Sequence, residues 1–320
     1  MGRYIIRRLL QAIPLLFLLS IAMFLLIHAM PGGPDEVLNN PNLDNAGQQA
    51  LRAEFGLDQP LYIQYFKWLG NSLVGNFGFS FSTHQRVSEI LAQRLPATLQ
   101  LFGVALVVAL GLAILLGVLS AVRQNTSVDY ILTVISYFGI ALPAFILGLF
   151  LQDIFAVQLH LLPVSGTTTL GVDFDPFNAF YDHFLHLILP TLTLSLLFVA
   201  SWSRYMRSST IEVLKQDYMR TARAKGASPV AMLFRHALRN AVIPLITVVA
   251  IEFGSIAGGA TITERIYAWP GMGSLFFYSL EVRDYPVLLA MLVLSGTFVI
   301  FFNLVADVLY GIMDPRIRYS

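Results

Sequence analysis

The apolar positions of this chain do not alternate with polar ones. They gather into long continuous runs, near 9–29, 97–122, 130–156, 185–203, 241–263 and 286–312. Each run is close to the ~20 residues that an α-helix needs to cross ~30 Å of hydrocarbon. The pattern predicts an all-α polytopic membrane protein with six transmembrane helices. The basic head "MGRYIIRRLL" resembles a leader, but its apolar run is long enough to span and no small-residue cleavage pattern follows, so a retained first span is expected. "PGGP" at Pro31–Pro34 ends that span, and Pro143, Pro190 and Pro244 are positioned to kink or interrupt later ones. The stretch 30–96 is too long for a bare connector and holds Phe55, Leu57, Leu61, Tyr62, Tyr65, Phe66, Trp68 and Leu69. It reads as a small subdomain lying on the membrane face. Residues 97–312 then form the transmembrane core and 313–320 a short tail. Two further loops, about 157–184 and 264–285, mix proline, glycine and aromatic residues, as interfacial caps or short re-entrant turns do.

Composition agrees. Of 320 residues, 56% are apolar and 12% charged, against about 45–50% and about 25% in soluble domains. With no cysteine, disulfides, thiolate catalysis and thiolate metal sites are excluded. The net charge of +1 gives no reason to expect nucleic acid. The distribution of charge is more telling. Fourteen of the 20 Lys and Arg fall on one side of the predicted spans and none inside a span. The positive-inside rule makes that side, with both termini and the run Arg204–Arg239, cytoplasmic. The opposite face is expected to be acidic, with Asp173, Asp175, Asp182, Glu264, Glu281 and Asp284 among its residues. No phosphate-binding glycine loop precedes any of the three lysines, so the chain is not itself an ATPase. There is no HExxH. His183 and His186 could share a helix face, but no third soft ligand is near, so no metal site is assigned. "PVSGTT" lacks a base for serine catalysis.

The segment "YMRTARAKGASPVAMLFRHALRN", Tyr218 to Asn240, stands out because it is basic and well capped. Arg220, Arg223 and Lys225 suit the last turn of a helix. Gly226 can take the left-handed cap conformation. Ser228 and Pro229 are an N-cap and a first residue for a second helix. Val230, Leu233, Phe234, Ala237 and Leu238 then recur as one apolar stripe, with Arg235 and Arg239 off it. A solvated basic loop, an interfacial helix in anionic headgroups and a docking element for a cytoplasmic partner all fit a basic hairpin. The paired caps and the stripe favour docking.

The same segment resembles the cytoplasmic EAA loop of binding-protein-dependent ABC importer permeases. Gly226 and Leu238 match its pattern. Arg220-Thr221 replaces the first Glu-Ala, His236 an isoleucine and Arg239 a proline, as in the peptide-transporter branch. In order along the chain, "YIIRRLLQAIPLL", "FGLDQPLYIQYFKWL", "VGNFGFS", "LPATLQL", "LLPVSG", "WPGMG", "RDYPVLL" and "DPRIRY" are similar to the first permease of dipeptide and oligopeptide uptake systems. The resemblance implies the type I importer permease fold and passage of peptides across the cytoplasmic membrane. It implies as partners a second, related permease, two ATPases that use ATP and Mg, and an extracytoplasmic binding protein. This chain itself would hold no cofactor and catalyse nothing. ATPase coupling would fall on Arg220, Thr221, Ala222, Arg223, Lys225, Gly226, Ser228, Pro229, Leu233, Phe234, Arg235, His236, Leu238 and Arg239.

Three acids sit in the predicted spans without a basic residue: Asp153, Glu252 and Asp307. Each ionised carboxylate at mid-membrane costs at least about 2.5 kcal/mol, so a cavity or polar partner is expected. Asp153 lies near a span end. Glu252, in "IEFGSIAGGA" with its Gly254–Gly258 step, and Asn303 with Asp307 are candidates for the translocation path. Interhelical hydrogen bonding is the plain alternative for each. Nickel, glutathione or oligosaccharide cargo stays open, as does an autonomous channel or secondary transporter, which needs no coupling hairpin.

Overall fold

The computed structural model describes residues 2–29 and 58–313, with side chains described except at 2–5, 9, 257 and 310–313. The expectations for "PGGP", for Phe55 and Leu57, and for "DPRIRY" lie outside the described residues. The elements are α1 (Gly2–Ala29), α2 (Leu61–Leu73), α3 (Val87–Val122), α4 (Ser127–Ala141), α5 (Ala144–Gln152) with a π-helical continuation Asp153–Gln158, and α6 (Pro176–Leu214). They continue with α7 (Asp217–Ala224), α8 (Pro229–Ala241), α9 (Ile243–Gly254) ending in a 3-10 turn Ser255–Gly258, α10 (Thr261–Ile266), α11 (Met272–Glu281) and α12 (Tyr285–Met313). Among the described residues the only other regularity is an isolated antiparallel bridge between Phe79 and Arg86.

Among the described residues four helices, α1, α3, α6 and α12, are long and apolar enough to cross a membrane, and counting each of two bent pairs as one span brings the number up to six. The predicted 130–156 run is one such pair, α4 and α5, bent by 103°. Pro143 sits at the break, where it lacks an N–H and starts the next helix. The other pair, α8 and α9, bends by 42° next to Pro244. Pro190 does not break α6, which runs 39 residues without interruption, about 58 Å at ~1.5 Å per residue. The boundary drawn at residue 96 falls inside α3, whose helix begins nine residues earlier at Val87.

The core is built around α3 and α6. Gly117 lets them touch: a Cβ there would lie 2.6 Å from the Met206 Cβ and 2.7 Å from the Ser203 carbonyl oxygen. Ser195 Oγ donates to the Ala105 carbonyl at 3.0 Å, and Leu101, Ala105, Ala109, Leu194, Trp202 and Met206 fill the seam. The small-residue step predicted after Glu252 behaves as expected at Gly254, where a Cβ would meet the Val299 Cα of α12 at 2.9 Å.

At the end of the molecule far from the hairpin, three acids expected on an exposed face are buried instead: Asp182, Glu264 and Asp284. Glu264 has no exposed surface. It accepts from Thr98 Oγ1 at 2.9 Å, Ser274 N at 2.9 Å and Ala260 N at 3.2 Å. Burial pushes its carboxyl up and these donors pull it back. Trp269, expected at the interface, is fully buried and donates its indole N–H to the Ala97 carbonyl at 2.9 Å. Asp284 accepts from Ser80 Oγ, from Ser82 Oγ at 2.8 Å and from Phe81 N at 3.1 Å. Buried carboxylates of this kind must be satisfied, and here they tie α2–α3 and α10–α12 loops into one cap. Nothing in a linear charge count distinguishes them from solvated acids.

Candidate functional site

The hairpin is assembled by local chemistry. Helix α7 closes in a Schellman arrangement: Ala227 N donates to the Ala222 carbonyl at 3.2 Å and Gly226 N to that of Arg223 at 3.0 Å. Gly226 takes φ +80°. Ser228 then caps α8, accepting from Ala231 N at 3.3 Å, and Pro229 occupies the first helical position. Asn240 Nδ2 donates to the Tyr218 hydroxyl at 3.1 Å and so pins the far end of α8 to the start of α7.

The predicted stripe does not stay on one face. Residues Met232–Ala237 form a π-helical turn, whose extra residue per turn rotates the remainder of the helix. Met219, Met232 and Ala237 are buried and form a small core with Leu233, Ala227 and the Val213–Leu214 end of α6. Leu238 packs against the main core. Val230 and Phe234 point outward, 67% and 63% exposed. Arg220, Thr221, Arg223, Lys225, Arg235 and Arg239 are also exposed, while Ala222 and His236 are half-buried. The Arg220–Asp217 pair, 3.5 Å, is fully at the surface and contributes little. The hairpin thus has an apolar back fixed to α6, and its exposed residues include Val230, Phe234 and the five cations.

Sequence reasoning passed over the bond that holds the same end of the bundle together. Arg207 of α6 donates from Nε and Nη2 to both carboxylate oxygens of Asp129, each at 2.7 Å. Ser120 Oγ and Asn125 N also donate to that carboxylate. The ends of α3, α4 and α6 meet in this one bidentate pair. Asp129, in the first turn of α4, and Arg207 stand far apart in sequence, and no local pattern pairs them.

The translocation candidates separate. Asn303 and Asp307 line a groove of about 330 Å³ between α1 and α12, and Glu252 does not. Asp307 is paired: Arg8 Nε lies 3.1 Å from its Oδ2. Arg8 lies just before the apolar run of α1, and Arg204 and Arg207 just beyond that of α6, in helices that extend past those runs. Glu252 is half-buried, and among the described residues its carboxylate has no hydrogen-bond or ion-pair partner. Asp153 is exposed and accepts from Gln158 Nε2 at 2.7 Å.

No group of three or more His, Cys, Asp or Glu that could hold a metal occurs among the described residues. His183 donates from Nδ1 to the Thr167 carbonyl at 2.9 Å and accepts at Nε2 from the Gln100 amide at 2.7 Å. His186 Nδ1 donates to the Asp182 carbonyl at 2.8 Å. The two imidazoles serve the fold.

Residues 113–319 match the family described as binding-protein-dependent transport system inner membrane component. Residues 1–102 match the N-terminal region described for such membrane components. The oligopeptide transport system permease protein AppB of Bacillus subtilis is 43% identical over 320 residues, all of both chains. The probable peptide ABC transporter permease protein y4tP of Sinorhizobium fredii is 41% identical over 319 residues, again all of both. The glutathione transport system permease protein GsiC of Escherichia coli is 39% identical over 320 residues and the full length of both. A membrane-spanning helical bundle, with likeness of this extent from end to end, makes the chain a member of the binding-protein-dependent transport system inner membrane component family.

Proposed function

We propose that this chain is the permease subunit of an ATP-driven peptide importer in the cytoplasmic membrane, with both termini and the hairpin on the cytoplasmic side. The observation that carries the reading is the hairpin: capped at both helix ends, fixed by its back to α6, and exposing Phe234 together with five cations. Such a surface suits a partner with an apolar pocket and an acidic rim. The partners are two ATPase subunits that hold ATP and Mg, a second related permease, and an extracytoplasmic binding protein. The chain is the non-catalytic part. Arg220, Arg223, Lys225, Arg235 and Arg239 steer the contact, and Val230 and Phe234 fill it. Leu233 and Leu238 act from behind by holding the helix. Movement of the ATPases then reaches the bundle through α6.

Peptide cargo is supported by the relatives named as peptide permeases. Glutathione is a second reading, favoured by the likeness to GsiC; it is itself a small peptide.

The test is purification of the tagged chain from its native membrane in mild detergent, with mass spectrometry of the proteins that accompany it. Two ATPases and a second permease are expected, lost together when the hairpin is disrupted. With binding protein present, di- and oligopeptides and glutathione are then compared as stimulators of ATP hydrolysis. A chain that purifies alone and moves solute in liposomes without ATP would overturn the reading.

A further inference from the structure

Helix α2 belongs to the segment expected to lie on top of the membrane. Its contacts place it lower. The Tyr65 hydroxyl is 2.7 Å from Ser20 Oγ, and its ring packs edge-on against Phe24 at 5.4 Å and against Phe17 at 6.1 Å. Ser20 lies seven residues inside Ile27, the end of the apolar run of α1, which is about 10 Å of helix. Phe17 lies deeper still. A second helix gives the same depth. Tyr65, Trp68 and Leu69 pack in one cluster with Leu288, Leu289 and Leu292 of α12, three to seven residues inside its first residue, or roughly 5–10 Å. Both helices cross the membrane. A point level with Ser20 and Leu288–Leu292 is therefore below the headgroups, within the ~15 Å half-thickness of the hydrocarbon.

The rest of α2 fits that depth. The side facing α1 and α12 is apolar, and so is the side facing away: Tyr62, Phe66 and Leu73 are 65%, 61% and 79% exposed. Its polar residues Gln64, Lys67 and Asn71 share one narrow face at i, i+3 and i+7, as on a helix lying in the interfacial part of a leaflet with its remaining surface in lipid. Lys67 is its one charged residue, and a lysine stem can reach back to the headgroups.

We infer that α2 is embedded in the membrane leaflet on the side opposite the hairpin, with its Tyr62–Phe66–Leu73 face in contact with lipid acyl chains. The inference needs only that α1 and α12 cross the membrane, and stands whatever the cargo. The partner of this surface is lipid, and the N-terminal segment is in this part an anchor buried in the bilayer.

The natural absence of cysteine in the chain makes the test direct. Tyr62→Cys, Phe66→Cys and Leu73→Cys are introduced one at a time into the full chain. Each variant is purified with its associated subunits into lipid nanodiscs and spin-labelled, with the parent preparation as blank. All three sites are exposed; Phe66→Cys removes the Tyr65–Phe66 ring contact at 5.3 Å, while the contacts of Tyr65 with Ser20, Phe17 and Phe24 remain in all three variants. The expected result is collisional broadening by oxygen several-fold above that by a water-soluble nickel chelate, at depths below the phosphates. Broadening mainly by the nickel chelate would place the face in water and overturn the inference. Protection from both reagents would show a protein partner covering the face and overturn it equally.

Discussion

Replacing Gly226 by valine tests the hairpin through a single backbone angle. At φ +80° an L-residue brings its Cβ toward the following carbonyl, at a cost of about 1–2 kcal/mol, and valine is among the residues least suited to this region. Crowding adds nothing, because a Cβ at Gly226 would meet no atom within 4 Å. The strain therefore falls on the two bonds that close α7, Ala227 N to Ala222 O and Gly226 N to Arg223 O. Each is worth about 0.5–1.5 kcal/mol, so the closed turn and the strain are of similar size. The fraction of hairpins in docking geometry should fall by roughly 5- to 30-fold. The buried core of α3 and α6 is distant and should be unaffected. The assay is peptide-stimulated ATP hydrolysis per assembled complex in nanodiscs, with membrane level of the chain measured in parallel. The expected order of coupling is Gly, then Asn, then Ala, then Val, because asparagine tolerates the left-handed region. Full coupling in the valine variant at normal membrane level would refute the argument. So would an asparagine variant as poor as valine, since that would mean space, not φ, is limiting.

Phe234→Ala removes an exposed ring, so unfolding should shift by no more than about 0.5 kcal/mol, while ATPase association weakens by roughly thirtyfold if the ring is an interface anchor worth about 2 kcal/mol; titration of purified ATPase onto the chain reads both outcomes. Arg207→Met strands the buried Asp129 carboxylate and should cost about 3–5 kcal/mol in detergent unfolding, most of it recovered in the Arg207→Met, Asp129→Leu double variant; a double variant no better than the single one would count against the pair as the cause. Glu252→Gln should lower uptake of cationic peptides and leave neutral ones alone, and unchanged uptake of both at normal expression would remove Glu252 from the path.

The features legible in the sequence were those set by local chemistry. Gly226, Ser228 and Pro229 act within a turn of themselves, and their caps form as their residue types dictate. The apolar runs located the spans because hydrocarbon imposes its length on them. The illegible features depend on distant partners. Glu264 looks like any acid until Thr98, far upstream, closes on it. Asp307 looks unpaired until α1 brings Arg8 beside it. The helical wheel failed at Leu233 and Leu238 because it assumes a constant period, and the π turn at Met232–Ala237 changes that period mid-helix. Tyr65 suggested an aromatic on a surface subdomain; its depth became visible only once Ser20 was its neighbour.

The unbroken length of α6 has a mechanical consequence. A rod of 39 residues pivoting at its midpoint has arms of about 29 Å, so each degree of tilt carries its two tips about 0.5 Å in opposite directions. Six degrees then amounts to about 3 Å, the reach of one hydrogen bond. At one tip the Val213–Leu214 end is locked into the hairpin core. Near the other, Asp182 holds Thr169 N at 2.7 Å. Stiffness turns a small angular push at one surface into the making or breaking of single contacts at the opposite surface, with no need for the middle of the rod to deform.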